Sequence, residues 1–386
     1  MRISAVETYV LKLPAEAAYL GALADGSPPA RGYAVRPPYR SLYSDRYETL
    51  LVRVVAEDGT AGWGEALAPV APEVPAQVID LLLAPVLIGS DALSPRPNWT
   101  MLRELMRERG HLVGHQADAL AAVDIALWDL AGRLTGRRVV DLLGGAFREQ
   151  VPTYVSGLPR PDDAGRAELA ERWAADGATS VKLHLGNGVA ADLATIDAVR
   201  SAAPGLRLAV DAHWAYSVDD ALRLADGLAE RGCWFLEAPL APEDLTGHAE
   251  LVSRARLPVA VGETLRSRFE FAQWLAARGL RIAQPDVART GITEAVTVGE
   301  LCSAQHVPVA PHHSVGLGIS LAAGLHLSAS IADLTAFEYQ PTSVAVGERI
   351  LAGPLAVEPH SMSLPTGPGL GVEIDAEAVA ALAKES

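Results

Sequence analysis

The chain has 386 residues, 49% of them hydrophobic, and a net charge of −15 at neutral pH. This is the composition of a folded globular protein with room for a barrel-sized domain and an appended one, and it excludes a disordered or fibrous chain. The acidic balance and the lack of clustered Lys and Arg argue against a nucleic-acid surface, and no run of residues approaches a membrane span.

The opening "MRISAVETYVLKLP" alternates like a β-strand and lacks the apolar run of a signal peptide. The two cysteines, Cys233 and Cys302, stand apart with no metal-ligand spacing, so free thiols in a reducing cytoplasm are expected. Residues 15–45 are rich in Pro and Gly and show no periodicity; a loop that long in a compact domain is usually functional, such as a lid, or else disordered. "ETLLVRVVAEDGTAGWGEA" reads as a hairpin turning at "EDGT". "HQADALAAVDIALWDLAGRLTG" carries apolar residues at helical spacing and stops at Gly136.

From Val151 onward the pattern becomes strand, helix, strand. The strands are "VPTYVSG", "SVKLHLG", "LRLAVDAH", "WFLEAP", "VAVGET", "RIAQPD", "VPVAPHH" and "LTAFEYQP". They are apolar without alternating, so both faces are buried, which marks a parallel sheet. Seven of them carry an ionisable group near the C-terminal end: Lys182, Asp211, Glu237, Glu263, Asp286, His312 and Glu338, spaced by 23 to 29 residues. That is one βα unit per step. In an α/β barrel the C-terminal strand ends converge on one face, so these seven side chains are expected to ring a single site. Lysine occurs only at Lys12, Lys182 and Lys384, so its use within the strand "SVKLHLG" is unusual for a surface solubiliser.

Asp211, Glu237 and Glu263 come from successive strands. Three converging buried carboxylates repel one another unless a cation neutralises them, and all-oxygen ligation suits Mg²⁺, with Mn²⁺ as a substitute. Such an ion also explains how an acidic protein binds a small carboxylate substrate. By the two-residue strand period, Lys182 shares a face with His184, and Asp211 shares one with His213. Asp286 and His312 fall on neighbouring strands, where the carboxylate orients the imidazole and raises its basicity; His313 points to the other face. Glu338 is placed to hydrogen-bond a substrate carboxylate as charge builds on it.

This ordered series, together with "QPDVARTGITEA", the Asp286 and His312 pair and the tail "PTGPGLGVEID", resembles the enolase superfamily and its mandelate racemase subgroup over nearly the whole chain. The resemblance implies a modified (β/α) TIM-type barrel with an α+β capping domain. Residues 1–125 would form the first part of the cap, 126–350 the barrel, and 351–386 a segment returning to the cap. It also implies Mg²⁺-assisted removal of the proton α to a carboxylate. A lysine on the sixth strand, as in the muconate lactonizing branch, is absent, since position 286 is Asp. Where mandelate racemase-like members carry Lys-x-Lys, this chain has "KLH", which puts racemisation by the standard pair in doubt.

"DAH" looks like the third-strand pattern of galactonate and gluconate dehydratases, in which this His is the general acid. The expected enzyme is therefore a hydro-lyase converting an aldonate or aldarate to a 2-keto-3-deoxy acid. His312 would act as base, His213 as acid, and Lys182 would steady the bound carboxylate. The alternative is a racemase or epimerase of a 2-hydroxy or amino acid, working through His184 and His312. His184 keeps three open roles: a second acid/base, a donor to a distal hydroxyl, or a filler beside Lys182. In this superfamily the cap's loop closes over the barrel mouth, which makes Tyr19, Arg31, Tyr33, Tyr39 and Tyr43 plausible substrate contacts. A homo-oligomer is expected by the same likeness, with no nucleic-acid or membrane partner.

Overall fold

A computed structural model describes residues 1–14, 32–105, 107–109 and 113–386. Tyr19 and Arg31 lie outside the described residues. The N-terminal third builds an antiparallel sheet from β1 (Ile3–Pro14), β4 (Arg46–Ala56) and β5 (Ala61–Ala66), in the order β1-β4-β5. A small ribbon of β2 (Tyr33–Val35) and β3 (Leu42–Ser44) stands beside it. The expected hairpin is β4 and β5, with Val55 opposite Ala61 across the turn.

The helix His115–Thr135 lies across β4 and β5 and ends at Gly136, whose left-handed backbone (φ 64) closes it. The approach is so close that a Cβ on Gly64 would sit 1.9 Å from the Ala122 carbonyl oxygen. Only glycine fits there. The residue-125 boundary falls inside this continuous helix, which also packs on the barrel helix Val287–Ala304.

The barrel strands are β6 (Gln150–Ser156), β7 (Ser180–His184), β8 (Arg207–Asp211), β9 (Leu236–Glu237), β10 (Val259–Val261) and β11 (Ile282–Ala283), paired in parallel in that order. The segment Val309–His312 fills the seventh position through parallel bridges to Ala283, Asp286 and Leu334. Closure comes from β12 (Phe337–Tyr339), which pairs in parallel with β6. Several connecting helices start on an Asp or Ser whose side chain accepts a backbone N–H of the first turn: Asp162, Ser217, Asp244, Ser267 and Asp286. The interior alternates large and small side chains, with Tyr154, Phe235 and Ile282 packed among Ala209, Ala260, Ala310 and Ala336. This apolar plug is the floor on which the polar rim rests.

After β12 the chain forms a hairpin of β13 (Val357–Glu358) and β14 (Ser361–Ser363), the latter antiparallel to β6. The final helix, Ala376–Glu385, packs on β1. Buried carboxylates tie cap to barrel. Glu65 of β5 accepts from Leu317 N, Ser320 N and Ser320 Oγ at 2.7 to 2.9 Å, at the start of the barrel helix Ile319–Ser330. Asp124 accepts from Thr293 N and Oγ1 at 2.8 and 2.7 Å, just past the break at Gly291 in the barrel helix Val287–Ala304. Among the described residues, no helix is long and apolar enough to cross a membrane.

Candidate active site

The C-terminal ends of the barrel strands bring the seven expected groups together. Lys182, on β7, is 1% exposed and donates to Glu237 Oε1 and Glu338 Oε1, both at 2.8 Å. Burial opposes its charge, but the two carboxylates outweigh that and hold its pKa well above the ordinary lysine value. Glu237 is also held by Gln284 Nε2 at 2.6 Å. Asp211 and Glu237 stand in register on β8 and β9. Glu263 follows the end of β10 after Gly262, where a Cβ would lie 2.6 Å from the Gln284 backbone.

The step from Asp211 to His213 differs from its sequence reading. The strand stops at Asp211, and both His213 (φ 46) and Trp214 (φ 61) are left-handed. The His213 N–H bonds Asp211 Oδ1 at 2.9 Å, and the turn carries the imidazole back so that Nδ1 lies 3.1 Å from Asp211 Oδ2. The two side chains meet as expected, through a strained turn instead of strand periodicity. Burial works against a charge on His213, yet Asp211 beside it raises its pKa.

Asp286 serves two partners. Its Oδ1 accepts Ala288 N at 2.8 Å, capping the helix Val287–Ala304, and its Oδ2 lies 2.6 Å from His312 Nδ1. The helix start therefore fixes the carboxylate that orients the imidazole. His312 Nε2 faces Glu263 Oε2 at 2.9 Å and Glu338 Oε2 at 3.9 Å. Burial disfavours its charge, but the surrounding carboxylates lift its pKa well above the usual range.

His184 Nε2 is 3.4 Å from Ser156 Oγ and 3.9 Å from Asp211 Oδ2. Burial pushes its pKa down to about 3, so it is neutral. His313 is buried and neutral, packed near Phe337, with its pKa pushed down to about 4 by burial.

A cavity of about 330 Å³ lies between the cap and the barrel mouth, within the size range of small-molecule sites. His213, Glu263 and His312 line it from the barrel, and Tyr43 and Arg36 from the cap. Tyr39 stacks on the His213 ring with centroids 4.2 Å apart. Tyr33 is not among the lining residues: its hydroxyl donates to Glu48 Oε2 at 2.9 Å and receives Lys12 Nζ at 3.2 Å.

Sequence reasoning passed over Gln284, Ser156 and Arg289. Gln284 was within reach of the two-residue strand period, since it precedes Asp286 by two. Ser156 carries no charge and so escapes a search for titratable strand ends. Arg289 sits one helical turn past Asp286, where side-chain direction does not follow from strand logic.

Ligand oxygens of Glu237 and Glu263 and a ring nitrogen of His312 all lie within 4.8 Å of one another. The carboxylate of Asp211, the third expected ligand, is outside that group and turned to His213, although its strand position is in register with Glu237; the paired glutamate oxygens are the hard donors that suit a divalent cation such as Mg²⁺.

Residues 36–144 match the mandelate racemase/muconate lactonizing enzyme N-terminal domain, and residues 165–379 the enolase C-terminal domain-like family. A D-galactarolactone cycloisomerase from Agrobacterium fabrum is 34% identical over 88% of this chain and 92% of its own length. A D-galactonate dehydratase from Ralstonia pickettii is 32% identical over 87% of this chain and 91% of its own. The crystal structure of a racemase from Streptomyces coelicolor with bound magnesium superposes with a TM-score of 0.84 at 27% identity, covering 98% of this chain and 99% of that one. Domain matches, likeness over most of the length and a closed barrel under an α+β cap converge: the chain belongs to the mandelate racemase/muconate lactonizing enzyme family of the enolase superfamily.

Proposed function

We propose that this enolase-superfamily enzyme is a Mg²⁺-dependent hydro-lyase that dehydrates an acid sugar to a 2-keto-3-deoxy acid. The observation that carries the reading is the disposition of its histidines. His213 and His312 line the same cavity, while His184 is not among its lining residues and is held neutral by burial. A base and an acid thus face the same space, which an elimination requires and a two-base racemisation through His184 does not use.

His312 works from its neutral form, which a cation held by Glu263 and its neighbours would favour by offsetting the carboxylates that otherwise keep the ring charged; Nε2 then takes the α-proton while Asp286 fixes the ring through Nδ1. Hydroxide is a poor leaving group, so His213, charged beside Asp211, gives its proton to the departing β-hydroxyl. The C–O electrons leave with the oxygen as water, and the resulting enol ketonises. The two histidines then exchange protons with solvent to reset. Lys182 and Glu338 form a fixed charged pair beneath this space. Asp211, Glu237 and Glu263 would hold Mg²⁺, which when bound supplies positive charge where the α-carboxylate becomes electron-rich.

The dehydratase relative supports this reading. The cycloisomerase relative favours a second one, in which the same α-proton is removed but a ring oxygen departs and no water is lost. Mass separates the two. Purified protein with Mg²⁺ is incubated with aldonates, aldarates and their lactones, and the products are read by a 2-keto-acid reagent and by mass, with His312→Asn as control. A keto product 18 Da lighter than its substrate, absent in the control, is expected. A product of unchanged mass from a lactone establishes cycloisomerisation, and deuterium uptake at the α-carbon with no keto product establishes racemisation.

A further inference from the structure

The cavity lies in an acidic chain, yet three arginines line it, Arg36, Arg46 and Arg289, and the last has little to neutralise it. Arg289, in the first turn of the helix Val287–Ala304, shares that lining with Glu263 and His312. Its nearest carboxylate is Asp118, 4.0 Å from Nη1, and Asp118 is already taken by Arg266 at 3.0 Å. The Nε of Arg289 is closed to solvent with no hydrogen-bond partner among the described residues, which leaves the terminal Nη groups to meet a ligand in the cavity. A buried guanidinium donor without an acceptor costs free energy, and a carboxylate matches its fork geometry.

The reactive carboxylate of an acid sugar does not fill this vacancy in charge if it is held at the metal ligands. Lys182, the cation nearest those ligands, is saturated by Glu237 and Glu338 and does not line the cavity. Arg289 is therefore surplus to the α-proton chemistry. An aldonate ends in a neutral hydroxymethyl group and has no use for a second cation. An aldarate, or an aldarate-like diacid, does.

Resting on the acid-sugar reading above, we infer that the substrate is a dicarboxylate and that Arg289 is the residue that selects it, by binding the carboxylate remote from the reacting carbon. Asp118 and Arg266 then act as a brace: the Arg266–Asp118 pair leaves Arg289 enough of a partner to stay ordered and enough charge to bind.

The test uses ligands that cannot eliminate. The Mg²⁺-loaded protein is titrated with succinate, glutarate and adipate and with monocarboxylates of equal chain length, followed calorimetrically. The best diacid is expected to bind at least about ten-fold tighter than its monoacid, the scale of one charge-assisted contact. Arg289→Gln should bring that ratio toward one, and Arg289→Lys should restore part of it. Equal affinity of the wild-type protein for diacids and monoacids overturns the inference, and needs no variant to fold. So does an Arg289→Gln protein, folded by circular dichroism, that weakens both classes equally. Because these ligands lack a leaving group, the outcome is independent of the reaction. Diacid preference without any dehydration of acid sugars would overturn the hydro-lyase reading alone, whereas dehydration of aldonates without diacid preference would overturn this inference alone.

Discussion

Asp286 divides one carboxylate between a helix cap and the imidazole proposed as the base, and each use constrains the other. The Ala288 N–H pins Oδ1, so Oδ2 has one direction left, toward His312 Nδ1. That contact keeps the ring proton on Nδ1 and leaves Nε2 to accept the α-proton. Asp286→Asn separates the two roles. Asparagine is as good a cap, so the melting temperature should barely move. Its amide, though, can present N–H to Nδ1 and reverse the tautomer, and α-proton exchange with deuterated solvent should slow by roughly 10³ to 10⁴. A slowing of less than about ten-fold would remove His312 as the base. At this scale the sequence was legible where strand parity holds, as with Lys182 and His184 on β7. It misled in detail at His213, because a left-handed turn is a tertiary compromise that no local pattern announces.

Elements here are joined by buried polar contacts that cross long stretches of sequence. Asp124 and Asp129 sit inside an apolar helix, in "AAVDIALWDLAG", whose spacing predicts the helix without explaining them. Their partners, Thr293 for one and Trp63 and Leu370 for the other, lie up to 241 residues away, so only the folded chain reveals them. His326 works in the same way. Its Nδ1 accepts Val140 N–H at 3.2 Å and its Nε2 donates to the Leu370 carbonyl at 3.1 Å, which ties the helix Ile319–Ser330 to the helix Val139–Leu142 and to the C-terminal segment. Holding both bonds at once requires the neutral ring, because only a bare Nδ1 can accept from Val140 N–H. Burial pushes the pKa down to about 4 against the pull of the Leu370 carbonyl.

The consequence for pH has a definite sign. A histidine whose folded pKa is depressed contributes stability that is complete above its unfolded value of about 6.5 and is lost as pH falls toward the folded value. The wild-type protein should therefore lose roughly 3 kcal/mol relative to His326→Gln between pH 7 and pH 4. Denaturant unfolding of both proteins across that range measures it, and parallel pH curves would show that His326 is not buried neutral. No local pattern in the sequence announces either partner of His326, which lie 186 and 44 residues away.

Over the whole molecule, the regular spacing of ionisable strand ends made the barrel and its ring of charges readable before any coordinates, because βα units repeat with a nearly fixed length. What the sequence could not convey is the balance of charge across the mouth. Asp211, Glu237, Glu263, Asp286 and Glu338 are gathered around the side chains of Lys182, His213 and His312, in a chain whose net charge is already −15. Burial pushes Glu237 up to about 8 against the pull of Lys182, which is the signature of a cluster short of positive charge. A divalent cation that binds this cluster binds the folded state alone, since the unfolded chain scatters ligands from three strands. Mg²⁺ at about a hundred times its dissociation constant should then add about 2.7 kcal/mol. Spread over a chain of this length, that is a rise in Tm of roughly 3 °C. Calorimetry with Mg²⁺ against NaCl of matched ionic strength measures it, because screening alone would lift both samples equally. Glu237→Gln should abolish the difference by removing a ligand charge, while leaving the neutral amide to bond Lys182 through its oxygen. If the wild-type protein melts at the same temperature in both salts, the carboxylate cluster does not hold the ion, and the metal-assisted reading of the site falls with it.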